Sequence, residues 1–310
     1  MAPIQIAVVG VGSLGSMHIR ELLKFPDLYT PFAITSSSKT TLLPASQVRV
    51  IDYSSPSSLA AAVQGIHTVI NTASPNASSV QMFLEGQLRL VQAADEAGVK
   101  RYIPSEWAMS KEMNQYIQLY AFKDPVIEAL RKTKMEFTAV RPGIYMNFFA
   151  FGSPKERVVE DAYDGVRYHP YVVNIADGTA NIPGTGNELV TFTKAQEIAV
   201  MVVKMLALEK WGEESGIVGS TMSYNEVVKL AEKFTGKKFN VTYTSQEQLE
   251  AQKAELEKGL PENYFQHFVV EGFLGAVKLG GGASVEPTLN QRLGNPKLTT
   301  VEEFLERWWA

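Results

Sequence analysis

The chain has 310 residues, 45% hydrophobic and 20% charged, with 29 basic and 33 acidic side chains and a formal charge of −4. That length holds about two domains, or one large α/β domain with an elaborated end, and the composition excludes a disordered chain. No basic surplus exists to neutralise phosphates, so nucleic acid is not expected as a partner. Cysteine is absent, which removes disulfides, thiolate metal sites and cysteine nucleophiles and fits a reducing compartment.

Ile4 to Val9 is a short, β-branched apolar run of the kind buried on both faces of a sheet. A glycine-rich turn and a helix follow, the helix stopped by Pro26. Further strands are predicted at Phe32–Thr35, Val48–Ile51, Thr68–Asn71, Arg101–Pro104 and Phe137–Val140, with helices at Ser57–Gln64 and Ser78–Ala97 between them. Asp124-Pro125 predicts a helix start, with Asp as N-cap and Pro at the first helical position. This alternation predicts an α/β fold, a Rossmann-type doubly wound parallel sheet. After about Pro142 the rhythm changes. Helices are predicted at Lys194–Leu208, Tyr224–Phe234, Gln246–Lys258 and Thr300–Trp309, with an apolar, aromatic segment at Tyr264–Val277. The expected organisation is a dinucleotide-binding domain over 1–150 and a smaller C-terminal substrate-binding region over 151–310. No internal repeat occurs. The N-terminus has no basic leader and no apolar run reaches about 18 residues, so neither a signal peptide nor a membrane span is expected, and a cytoplasmic location is. The histidines at 18, 67, 169 and 267 are too far apart in sequence to suggest a ligand pair, so no metal site is expected.

Gly10-Val11-Gly12-Ser13-Leu14-Gly15 has the form GxGxxG, directly after a strand and opening a helix. Gly10 permits the tight turn, Gly12 lets the backbone approach a pyrophosphate, and Gly15 lets helix pack on strand, while the helix start at Ser13 and Leu14 offers free N–H groups. Sites for NAD carry an acid after the second strand. Here no acid occurs between Asp27 and Asp52, and Ser36 and Lys39 can receive a 2′-phosphate, which favours NADP(H). Tyr53 after the third strand can flank the adenine. Ala73 and Ser74 after the fourth strand, and Pro104, Ser105 and Glu106 after the fifth, stand at carboxyl ends of strands, where ligands bind in open sheets.

The order of GVGSLG, EAGVKRYIPSEW, YAFKDPVIEALRKT, FTAVRPGIYMNFF, IPGTGNELVTFT and VEEFLERWW resembles the NmrA-like / isoflavone reductase-like family, an atypical branch of the short-chain dehydrogenases/reductases. The resemblance covers nearly the whole chain and is closest to fungal NmrA-like oxidoreductases. It implies NADPH and reduction of aromatic secondary metabolites such as isoflavones and lignan ethers, and it puts Lys123 on the family's catalytic lysine and Pro104-Ser105-Glu106 on a turn beside the nicotinamide. The family's usual spacing is GxxGxxG, one residue longer than here, and Ser36 stands where the family often has Arg. The Tyr-x-x-x-Lys dyad of the wider superfamily is out of register, since Leu119 is four residues before Lys123; Tyr116, Tyr120 or water remain alternative proton sources. The expected activity is NADPH-dependent hydride transfer to an aromatic or polyketide-like small molecule, at a carbonyl, conjugated C=C, imine or benzylic ether. Other members of the family bind the dinucleotide without turnover and act as NAD(P)-sensing regulators through protein partners. Tyr145, Phe148 and Phe149 leave the sixth strand at the ligand edge, and Phe268 lies on the apolar segment able to close over them, so these four are expected to line the substrate pocket. Oligomeric state is not legible. Replacing Lys39 by Glu is expected to weaken NADPH far more than NADH in titration calorimetry; tighter NADH binding by the native chain would refute the preference.

Overall fold

The computed structural model describes residues 2–36, 42–75, 80–166, 172–260, 262, 264–281 and 288–310. Lys39, His169 and the first two residues of the helix predicted at Ser78–Ala97 lie outside the described residues. Two compact units form: one from 1–107, 121–140 and 199–215, the other from 108–120, 141–198 and 216–310.

The first unit is built on β1 (Ile4–Val9), α1 (Ser13–Leu22), β2 (Tyr29–Thr35), β3 (Val48–Val50), α2 (Pro56–Val63), β4 (Thr68–Asn71), α3 (Val80–Glu96), β5 (Arg101–Ile103), α4 (Lys123–Arg131) and β6 (Glu136–Phe137). The sheet has six strands in the order β3-β2-β1-β4-β5-β6, every pair parallel. The order reverses between β1 and β4, which is where open sheets of this kind bind ligands. Burial follows the sequence pattern: Ile6 to Val9 and all of β4 are buried, and the helices turn Ile19, Leu22, Leu59, Val63, Leu90, Ala94, Val126 and Leu130 inward.

Three local expectations are corrected. β2 begins at Tyr29 rather than Phe32, because Pro31 falls where β2 has β1 on one side and not yet β3 on the other, so its missing N–H interrupts no ladder. The sixth strand is not continuous over Phe137–Val140. Glu136 and Phe137 pair with β5, then Ala139 N donates to Glu213 O (2.7 Å) and Thr138 Oγ1 meets Ser215 Oγ (2.8 Å), so the chain leaves the sheet and β7 (Ala139–Arg141) pairs with Glu214–Gly216. Asp124 is not an N-cap: the cap position is Phe122, two residues earlier, and α4 opens at Lys123. Pro125 still falls in the first turn, where its N–H has no helical partner to lose.

An ionic anchor fixes the sheet edge. Arg101 bonds Glu136 (2.8 Å) and the carbonyls of Leu206, Leu208 and Glu209, and it stacks over the Trp211 ring at 4.7 Å.

The second unit holds β8 (Ile144–Tyr145), β9 (Val173–Asn174), β10 (Thr179–Pro183), β11 (Leu189–Thr193), α5 (Ala195–Met205, whose last turns belong to the first unit), β12 (the Glu214–Gly216 strand, shared in the same way), β13 (Ser220–Ser223), α6 (Tyr224–Thr235), β14 (Asn240–Thr244), α7 (Gln246–Glu257), α8 (Tyr264–Lys278), α9 (Leu289–Arg292) and α10 (Val301–Trp309). Two three-stranded sheets, β14-β10-β9 and β13-β11-β8, form within it. Its core centres on Phe192, Ile182, Val227, Phe304 and Leu305. Capping boxes at Ser223/Glu226, Ser245/Gln248 and Thr300/Glu303 start α6, α7 and α10. Among the described residues no helix is long and apolar enough to cross a membrane.

His18 on α1 is fully buried, its Nδ1 donating to Leu14 O (2.8 Å) and its ring 5.0 Å from that of Trp107. Burial pulls its pKa from 6.5 down to about 4. A histidine depressed in the folded state favours folding fully above its unfolded value and loses that contribution as pH falls toward the folded one. The shift corresponds to about 3 kcal/mol lost between pH 6.5 and pH 4. Urea unfolding of the native chain is therefore expected to lose about that much more stability over this window than His18→Phe, which keeps a ring against Trp107. Parallel profiles would refute it.

Candidate active site

The turn between β1 and α1 is shaped by contacts a side chain would prevent. Gly10 has φ +83°, and a Cβ on it would lie 2.7 Å from Ala73 N. A Cβ on Gly15 would lie 2.0 Å from Gly10 O and 2.7 Å from Thr72 Oγ1, so the helix meets the strand through bare backbone. Gly12 is different: a Cβ there would point into open space, with no atom within 4 Å. Gly12 is the N-cap of α1, with no side-chain cap and no acid in the first turn. The N–H groups of Ser13, Leu14 and Gly15 therefore open on a free, electropositive helix start, which suits an anion such as a pyrophosphate.

The loops after β4 and β5 are joined to this turn. Thr72 Oγ1 donates to Gly10 O (2.5 Å) and Val9 O (3.1 Å). Asn71, fully buried at the end of β4, donates through Nδ2 to Gln87 Oε1 and Tyr102 OH, accepts at Oδ1 from Ala73 N (3.1 Å), and accepts at its carbonyl from Trp107 Nε1 (2.6 Å). Ser105 Oγ donates to Ala73 O (2.6 Å). Sequence reading missed Asn71, whose signal was an amide closing an otherwise apolar strand.

Lys123 is the first residue of α4 and is 3% exposed; Glu106 is 1% exposed. Lys123 Nζ donates to Glu106 O (2.5 Å), and Glu106 Oε2 lies 3.7 Å away. The structure thus brings Gly10, Gly12, Ser13, Leu14, Gly15, Ala73, Ser105, Glu106 and Lys123 into one connected series of contacts at the carboxyl edge of the sheet. Ser36 is exposed just past β2 and Ser74 is exposed past β4. Tyr53 packs against Gly86 of α3, and burial pushes its hydroxyl up to about 12.

In the second unit, the Tyr145 and Phe148 rings stack at 6.3 Å, and burial pushes the Tyr145 hydroxyl well above its usual range. Phe268 on α8 meets Tyr120 edge-on at 5.8 Å and Phe265 at 6.4 Å. Phe149 is core, 5.3 Å from the Phe192 ring. Among the described residues no group of three or more His, Asp or Glu side chains is placed to hold a metal ion.

The glycines separate by role. Gly15→Ala is expected to destabilise the chain by more than about 3 kcal/mol, because backbone stands in the way of the new methyl. Gly12→Ala should change stability by less than about 1 kcal/mol. Equal losses in denaturant unfolding would contradict this assignment.

A family model described as the NmrA-like family matches residues 4–305. Oxidoreductase BOA1 of Botryotinia fuckeliana (strain B05.10) is 26% identical over 244 residues, 76% of this chain and 77% of that protein. Bifunctional pinoresinol-lariciresinol reductase 3 of Thuja plicata is 26% identical over 233 residues, 72% of this chain and 69% of that protein. The solved structure of AtPrR2 with NADP+ and (+)pinoresinol has a TM-score of 0.77 at 19% identity, covering 99% of both chains, a likeness of fold. On the family match, which spans almost the whole length, the chain belongs to the NmrA-like family.

Proposed function

We propose that the chain is an NADPH-dependent reductase acting on an aromatic or polyketide-like small molecule. The observation that carries this reading is the buried Lys123 ammonium, held by Glu106 on the loop that Ser105 ties to Ala73 beside the glycine turn. A lysine held in this way at a sheet's ligand edge supports a role in chemistry on whatever the turn binds. The similarity to proteins named as oxidoreductases and reductases supports the same reading.

The residues present fit the dinucleotide. Gly12 leaves the space a pyrophosphate needs, and the uncapped start of α1 supplies N–H donors from Ser13, Leu14 and Gly15. Ser36 and Lys39 would take the 2′-phosphate, Tyr53 would border the adenine, and Ala73, Ser74 and Pro104–Glu106 would line the nicotinamide end. NADPH, when bound, supplies a hydride. Lys123 supplies the proton, from Nζ to the substrate oxygen that gains negative charge, and is reprotonated from solvent afterwards. Tyr145, Phe148 and Phe268 would give the substrate an aromatic wall, which suits a planar ligand with few polar groups, while Phe149 belongs to the core.

Lys123→Met tests the assignment, since methionine keeps the bulk of the stem and removes the charge and the proton. NADPH fluorescence decay with a panel of quinones, enones and isoflavonoids is expected to slow by a factor of about 10²–10⁴, with NADPH still bound. Gly12→Val is expected to fold and to lose NADPH binding. Unchanged turnover in Lys123→Met would remove the lysine from the mechanism. A native chain that binds NADPH and turns over nothing in the panel would favour the regulatory, non-catalytic reading.

A further inference from the structure

We propose that Glu106 is a positioning residue that keeps the Lys123 ammonium charged and aimed, through its main-chain carbonyl and its carboxylate together. The inference rests on Lys123 being the proton donor in the proposed function, and it adds what holds that donor ready.

Two features of Lys123 work against its charge. It is 3% exposed, and an ammonium taken out of water is disfavoured. It also opens α4, and the N-terminal end of a helix repels a cation. Opposing both is Glu106, whose carbonyl accepts from Nζ at 2.5 Å and whose Oε2 stands 3.7 Å off. Glu106 cannot drift from this place. Its neighbours are anchored on either side, Ser105 to Ala73 O and Trp107 to Asn71 O, and its own N–H bonds Pro104 O (2.8 Å). A carboxylate 1% exposed needs a cation as much as the ammonium needs an anion. Removing either takes a buried counter-charge from the other.

Other ionisable groups stand on the surrounding elements. Asp124 follows Lys123 on α4, where Glu128 and Arg131 pair with each other. On α3, Glu85 and Arg89 form an exposed pair. On α1, His18 touches Trp107 and is neutral above about pH 4. On β5, burial keeps the Tyr102 hydroxyl neutral. Deprotonating Lys123 would leave the Glu106 carboxylate without the cation it faces, so the pair favours a lysine that is protonated at rest rather than a resting base.

The test is a lysine titration followed by NMR on the full chain labelled with 13C and 15N lysine, with the Lys123 signal assigned by its loss in Lys123→Met. The native midpoint is expected at or above the free-lysine value of about 10.4. In Glu106→Gln it should fall by about one to three pH units, and in Glu106→Asp, which keeps the charge, it should fall less. With NADPH and 1,4-naphthoquinone, the alkaline fall of the rate should move down by the same amount. A Glu106→Gln midpoint within about half a unit of the native one would overturn the proposal. So would a native midpoint well below that of free lysine, a result that needs no change at Glu106 and decides the matter even if Glu106→Gln does not fold. A shifted Lys123 signal in Glu106→Gln, with an alkaline limb that survives in Lys123→Met, would leave the pairing intact and overturn the proton-donor reading instead.

Discussion

The amide of Asn71 is the interaction on which the ligand edge of the first unit depends. It is fully buried at the end of β4, and each of its polar atoms is used: Nδ2 toward α3 and β5, Oδ1 toward the next turn of its own loop, the carbonyl toward Trp107. An amide in that position is favourable only when its donors and acceptor all find partners, because each one orphaned in a buried site is disfavoured by about 1–3 kcal/mol. The partners come from separate segments, so one residue sets the spacing among strand, helix and loop. An aspartate of the same shape has no donor for Gln87 and Tyr102, and a leucine bonds to none of them.

That spacing explains how the glycine turn and the lysine come to be part of one arrangement. The backbone at Ala73, held by Asn71 Oδ1 on one side and Ser105 on the other, is the wall against which Gly10 folds. Thr72, between them, donates its hydroxyl to the Gly10 carbonyl and so holds the turn close. The same loop carries Glu106, and Glu106 holds Lys123. Packing fixes the backbone; hydrogen bonds from three small polar side chains then fix where the charged groups sit. His18 shows the other side of burial: with no carboxylate beside it, its ring gives up its proton instead.

Much of this was legible in the sequence because local chemistry and global fold agree. The apolar stretches within Ile4–Val9 and Thr68–Asn71 suit central parallel strands, and GxGxxG between strand and helix suits a phosphate-binding turn. The misses fall where a long-range partner decides. Nothing near Thr138 announces that Ser215 and Glu213 will draw the chain off the sheet. Pro31 reads as a breaker unless one knows that β3 stops short of it. Asn71 reads as a strand end, since the worth of its amide lies in Gln87, Tyr102 and Trp107, 16 to 36 residues away. Phe148 and Phe149 are neighbours of one residue type, yet Phe148 faces Tyr145 and Phe149 enters the core, a distinction that a short 3-10 turn makes and composition cannot.

The missing tyrosine gives the lysine its character under the proposed function. Where a tyrosine stands four residues before the lysine, the hydroxyl can carry the proton and the ammonium need only lower its affinity for it. Here Leu119 holds that place, and Tyr116 and Tyr120 are packed against α8, Tyr116 beside Gly275 and Tyr120 against Phe268. A lysine left to deliver the proton itself has a stricter requirement: it must be charged before each turnover, in a dry site that disfavours charge. A solvent-facing lysine would meet it trivially but would have no fixed aim. A buried lysine without a counter-charge would be aimed but neutral. Under that reading Glu106, pinned between Ser105 and Trp107 and 1% exposed, meets both demands.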